Sequence, residues 1–134
     1  MSNDFNIQLH CDGDAAVRYV LDAVEALPYR LDDNRLALAH AEAVALSDYP
    51  RFKDLNVRLI MTYQWAQDSD SLHSLNGSLD TAHSVGPERS LLMEPFGNLT
   101  DMENNVVYGS DWPIDNLGKS LSRTPSRRYP HGFP

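Results

Sequence analysis

Short apolar runs alternate with helical patterns along the chain, and several of the runs stop on a side chain able to bind a metal or carry a proton. Residues 5–10 read as a strand ending at His10. Asp12-Gly13-Asp14 follows with turn and helix-start chemistry, because an aspartate can accept the free amides of a first turn. Over residues 15–27 the apolar positions Ala16, Val17, Val20, Leu21, Val24 and Leu27 recur at spacings of three and four, which is one helical face. Arg18, Asp22 and Glu25 take the opposite face, and Pro28 ends the helix.

A second strand is expected over residues 35–40, where Leu and Ala run into His40. Residues 41–46 fit either a continued strand or a helical turn, and Ser47 is placed to cap a brief helix carrying Phe52 and Leu55 inward. Residues 57–62 form a third strand, with Tyr63-Gln64-Trp65 as its aromatic end. Residues 66–86 turn polar and read as a long loop, of the kind usually reserved for lids or mobile segments. A helix is expected over residues 87–99, opened by Pro87 and Glu88 and interrupted at Pro95-Phe96-Gly97. Residues 105–109 form the fourth strand, which runs into Ser110, Asp111, Trp112 and Pro113.

The resulting order, β-α-β-α-β-loop-α-β, implies parallel strands joined by right-handed crossovers. In such folds the loops after the strands' C-terminal ends build the site, so His10, His40 and Asp111 should share one end of the sheet. Two imidazoles and a carboxylate suit a divalent metal such as zinc, and a nearby aspartate can act as general base. A single histidine after a strand is more often a satisfied structural residue, and it is the series of three strand ends that favours a site. Ser110 has no defensible Ser-His-Asp order around it, and His73, His83 and His131 fall in loop or tail.

Composition narrows the picture further. At 134 residues the chain fits one domain, and 42% hydrophobic with 22% charged residues is ordinary for a soluble globular protein. No apolar run approaches the roughly 20 residues of a membrane span and no leader pattern opens the chain, so a cytoplasmic protein without a membrane partner is expected. One cysteine, Cys11, cannot form an internal disulfide. A formal charge of −8 argues against a nucleic-acid partner. Residues 1–115 carry all 19 acids and 7 of the 11 basic residues, whereas residues 116–134 carry Lys119, Arg123, Arg127 and Arg128 and no acid. That basic, Ser- and Pro-containing tail is expected to be disordered, which leaves residues 1–115 as the domain.

The pieces His10-Cys-Asp-Gly-Asp-Ala-Ala-Val-Arg-Tyr-Val, Leu-Ala-His40-Ala-Glu, Tyr-Pro-Arg51-Phe-Lys-Asp-Leu-Asn-Val57 and Gly109-Ser-Asp111-Trp-Pro-Ile-Asp resemble the C-terminal half of amidohydrolase-superfamily enzymes. The resemblance covers roughly residues 6–115 and points to the amidohydrolase 3 branch with its YtcJ-like members. It implies a partial (β/α)8 TIM-type barrel, strands five to eight, hydrolysing a carbon–nitrogen bond in a small amide-type substrate. It also implies that His10 and His40 ligate a divalent metal and that Asp111 contacts the metal and accepts the proton. Gln64 and Trp65, similar to the family's Q-W or Q-P segment, are candidates to line the substrate pocket, with core packing the slightly favoured alternative for Trp65.

Beside these, Asp12 and Asp14 are candidates to ligate the metal or to orient His10, with helix capping at least as good a reading, and Glu42 is a candidate to orient His40, with a surface carboxylate equally good. Cys11 is expected to pack in the barrel wall and Arg89 to anchor its loop through a carboxylate. The family's His-x-His pair does not occur in this sequence, and four strands stand where the barrel has eight. The chain therefore reads as a fragment with open sheet edges and possible self-association, little active by itself. The alternative is a non-catalytic remnant or interaction module. A small domain binding an anion at the Asp12-Gly13 helix start is disfavoured by the two aspartates there.

Overall fold

The computed structural model describes residues 5–32, 35–62, 85–90, 92–109 and 111. Strands β1 (Ile7–Cys11), β2 (Leu36–His40), β3 (Val57–Thr62) and β4 (Val106–Gly109) form one parallel sheet in the order β1-β2-β3-β4. Helix α1 (Asp14–Glu25) joins β1 to β2. A 3-10 turn (Leu46–Asp48) and α2 (Tyr49–Asp54) join β2 to β3, and α3 (Pro87–Ser90) and α4 (Phe96–Asp101) precede β4.

Strand order equal to chain order is the winding of a (β/α)8 barrel wall rather than of a doubly wound sheet, in which the order reverses. The helices support the same reading. Val17, Leu21 and Val24 of α1, Tyr49 and Phe52 of α2 and Phe96 and Leu99 of α4 share one core with Leu36, Leu38, Val57, Leu59 and Met61. Those strand residues sit on one side of the pleat, because successive side chains alternate. The opposite side carries Gln8, His10, Ala37, Ala39, Arg58, Ile60 and Val107, the positions that face a barrel lumen. The chain is thus an α/β partial barrel of four parallel strands. Among the described residues no helix is long and apolar enough to cross a membrane.

Expected and observed elements differ where long-range contacts intervene. Strand β1 runs one residue beyond His10, because Cys11 still pairs with His40. Helix α1 starts at Asp14 with Gly13 as its cap residue; no side chain caps Gly13, and Asp14 Oδ1 accepts the Ala15 N–H at 3.0 Å. Ser47 does not cap α2, because its hydroxyl accepts from Arg18 Nη2 at 2.6 Å and Asp48 takes the cap position. The interruption around Pro95 is wider than its sequence signal and separates two short helices. The tail from residue 116 and most of the polar loop lie outside the described residues.

One ion network locks the helical layer. Arg51 donates to Asp22 and Glu25 of α1 at 2.7 Å each and to Asp48 at 3.0 Å. Asp48, almost fully buried, also accepts from Arg18 Nε at 3.0 Å. A carboxylate out of water is tolerable only with such charged partners, so the network fixes α2 against α1 and with it the chain between β2 and β3.

Candidate metal centre

The C-terminal ends of β1 and β2 bring together His10, Asp12 and His40, whose ligand atoms all lie within 4.8 Å of one another. His10 reaches this place by pleat alternation: it stands on the lumen side of β1, opposite in register to Ala39. His40 does not. Paired with Cys11, it would follow Cys11 to the helix side in a regular strand. Left-handed backbone at His40 (φ 74°) and Ala41 (φ 49°) breaks that alternation, and the His40 ring lies 4.4 Å from the His10 ring, centre to centre. The Ala41 N–H holds the bend by donating to Cys11 O at 2.8 Å. Left-handed φ in a non-glycine residue costs on the order of 1–3 kcal/mol and tends to gather at functional sites. His40, Ala41 and Asp111 all adopt it, each at or just beyond a strand's C-terminal end.

His40 is buried, and its Nδ1 lies 3.3 Å from Thr62 Oγ1 at the end of β3. With the proton on Nδ1, the hydroxyl accepts it and Nε2 keeps the lone pair that a metal requires. His10 is exposed, and its Nε2 lies 3.0 Å from Asp12 Oδ2. Of the two aspartates after β1, it is therefore Asp12 that touches a histidine. Asp14 is turned to the loop beyond, where its Oδ1 accepts from Arg89 Nη2 at 2.9 Å. That pair is the loop anchor expected of Arg89, made through one nitrogen.

Glu42 Oε1 lies 3.8 Å from His40 Nδ1, near enough to feel its charge but beyond hydrogen-bond range. Burial, reinforced by the neighbouring Asp12 carboxylate, pushes the Glu42 carboxyl up to about 7. His10 opposes the shift and Asp111 adds to it. With its folded value raised above its unfolded one, Glu42 holds its proton in the folded chain and loses it in the unfolded chain between about pH 4.5 and 7. Its contribution to stability is present below that window and is lost as pH rises through it. Glu42→Gln, which cannot ionise, is therefore expected to lose less stability between pH 5 and pH 8 than the parent, as read by thermal melts of the metal-free proteins. Equal losses would contradict the assignment.

Asp111 follows β4, half-buried and outside the three-residue cluster, though its charge is felt at Glu42. Gln64 and Trp65 lie outside the described residues. Cys11 packs with the helix-side core, opposite His10 across the pleat, and burial raises its thiol above the usual range with Asp12 adding to the effect. Thr62 is the contributor with no sequence signal beyond its place at the end of β3, beside β2.

The donor set fits a divalent metal. Two imidazoles and a carboxylate are ordinary zinc ligands, and donors bound at about 2.1 Å span at most about 4.2 Å. The observed 4.8 Å limit closes to that with small rotations of exposed His10 and Asp12. A profile of the amidohydrolase family matches residues 2–119. Among solved structures, an uncharacterized metal-dependent hydrolase from Pyrococcus furiosus is similar at 22% identity and a TM-score of 0.61, over 83% of this chain and 20% of that one. At that identity the likeness speaks for the fold, and this chain spans about a fifth of that protein. No curated protein matches the chain.

Proposed function

The chain belongs to the amidohydrolase family, and from that premise we propose that it supplies part of the site of a metal-dependent hydrolase cleaving a carbon–nitrogen, non-peptide bond in a small amide-type substrate. The convergence of His10, Asp12 and His40 at the C-terminal ends of adjacent parallel strands carries this reading. His10 and His40 hold the metal, zinc being the ion that best suits imidazole and carboxylate together, and Asp111 is a further ligand. When bound, such an ion supplies Lewis acidity that polarises an amide carbonyl and lowers the pKa of a water toward about 7.

Asp111 would take the proton of the attacking water and pass it to the nitrogen that departs as the carbon–nitrogen bond breaks. Asp12 stands against His10 as the third donor of the cluster, Thr62 holds the His40 ring in place, and Glu42 lies behind His40. Gln64 and Trp65 contact the substrate. The lone, buried Cys11 suits a reducing compartment, and the cytoplasm is the proposed location.

In an eight-stranded family member, replacing the aspartate that matches Asp111 by asparagine is expected to lower turnover by about 10²–10⁴-fold while most of the metal is retained. Unchanged turnover would contradict the role. The 134-residue chain, which has no His-x-His, is itself expected to bind zinc weakly and to hydrolyse amides poorly. Tight stoichiometric zinc with turnover, seen by calorimetry and an amide assay, would overturn that expectation.

A second reading, an interaction module without activity, is favoured by the outer side of β1. There Ile7 and Leu9 are 54% and 37% exposed on the edge strand, and Phe5 just before it is 74% exposed. An apolar edge strand invites pairing with another chain. Concentration-dependent association in sedimentation velocity that Ile7→Lys reduces is the expected result, and a monomer at all concentrations would exclude it.

A further inference from the structure

Beside the metal cluster lies a cavity of about 480 Å³, whose lining includes Asp12 of the cluster and Glu42 beside it. Its walls are tied together by backbone. Ala43 pairs with Met93 in an antiparallel bridge, the Glu94 N–H donates to Glu42 O at 2.6 Å, and the Ala43 N–H donates to Asp12 O at 2.9 Å. Segments after β1, after β2 and between α3 and α4 are thus tied together by backbone hydrogen bonds.

The chemistry of the lining is uneven. Val44, Leu46, Leu92 and Met93 make an apolar wall, and Leu46 is 44% exposed, a large hydrophobic side chain left open beside the cavity. The side toward the metal cluster carries Asp12 and Glu42, and Asp14 lines the cavity farther off, against Arg89. Arg89 is the one basic residue among the described lining, and its guanidinium is already bonded to Asp14 at 2.9 Å. An anionic group entering here would meet the Asp12 carboxylate, while the Arg89 charge is already offset by Asp14, and like charges brought together disfavour it. An uncharged apolar group would cover Leu46 and Leu92. The volume lies within the ~300–1,000 Å³ usual for small-molecule sites and is about three times the ~150 Å³ that accommodates benzene. An aryl or branched alkyl group therefore fits with room for the amide that links it to the cluster.

We propose that this cavity receives the uncharged, apolar substituent of the substrate, so that the site selects neutral aryl or alkyl amides over amides carrying a carboxylate on that substituent. The proposal takes the cluster as the reacting end of the site. Leu46 and Leu92 are its specificity-determining residues, and they act by contact with the substituent rather than on the reacting atoms.

The test needs neither metal nor turnover. The metal-free 134-residue chain, labelled with ¹⁵N, is titrated with acetanilide and in parallel with 4-acetamidobenzoate, which adds a carboxylate to the same ring. Acetanilide is expected to shift the amide signals of residues 43–47 and of Leu92 and Met93, and the carboxylated probe to bind at least about 10-fold more weakly. Leu46→Glu, at an exposed position where the fold is expected to survive, should weaken acetanilide binding by about 10-fold, with circular dichroism confirming the fold and Leu46→Met restoring binding. Equal binding of the two probes, shifts confined to other residues, or no binding at millimolar acetanilide would each overturn the proposal. Zinc at the cluster with acetanilide absent from the cavity overturns the cavity's role and leaves the metal reading standing. Acetanilide in the cavity of a chain whose zinc binding His40→Ala leaves unchanged supports the cavity and removes the metal reading.

Discussion

Phe52→Ala is expected to destabilise the fold by about 3–5 kcal/mol, the usual cost of emptying a large aromatic site in a packed core. Phe52 is 0% exposed and shares the core with residues of α1, β2, β3 and α4. It stands on a helix of only six residues, whose attachment depends on what it buries and on the Arg51 network rather than on helix propensity. Domains are commonly stable by only about 5–15 kcal/mol, so this one substitution removes a large fraction of the total. Urea denaturation followed by circular dichroism should show a lower midpoint at an unchanged slope. A loss below about 1 kcal/mol would mean that α2 is not packed as described. The site should suffer with the fold, because α2 leads directly into β3, whose last residue, Thr62, steadies His40.

His40→Ala is expected to weaken zinc binding by at least about 100-fold, the upper end of what losing a residue that only orients a ligand costs. His40 is buried and carried on backbone bent into the left-handed region, which fixes its ring at the cluster. Thr62→Val should fall within the ~10–100-fold range for such supporting groups, and Cys11→Ser should change little, because Cys11 packs on the helix side of the sheet. Calorimetry on folded variants orders the three. A His40→Ala protein that binds zinc as the parent does would remove His40 from the donor set.

Much of this architecture is legible in the sequence because local physics dictates it. Helix α1 follows from apolar positions three and four apart and from the stop at Pro28, and the strands follow from apolar runs that end on turn residues. The parallel order follows from the alternation of the two, and it places His10 and His40 at one end of the sheet before any coordinates are known. What the sequence hides is set by residues far away in the chain. Asp12 and Asp14 look alike beside His10, and Arg89, 75 positions beyond Asp14, separates them by binding Asp14. Ser47 looks like a helix cap until Arg18 claims its hydroxyl. The bend at His40 carries no glycine to announce it, and Thr62 reaches the site through a sheet register that no local pattern encodes.

In the proposed site two imidazoles hold one ion at the ends of β1 and β2. X-ray absorption spectroscopy of the zinc-loaded chain tests this most directly. The predicted spectrum shows first-shell nitrogen and oxygen at about 2.0–2.1 Å, with the outer scattering of two imidazoles that falls to one in both His10→Ala and His40→Ala. A sulfur shell at about 2.3 Å, which would place Cys11 on the metal, or imidazole scattering unchanged by either substitution, would contradict it.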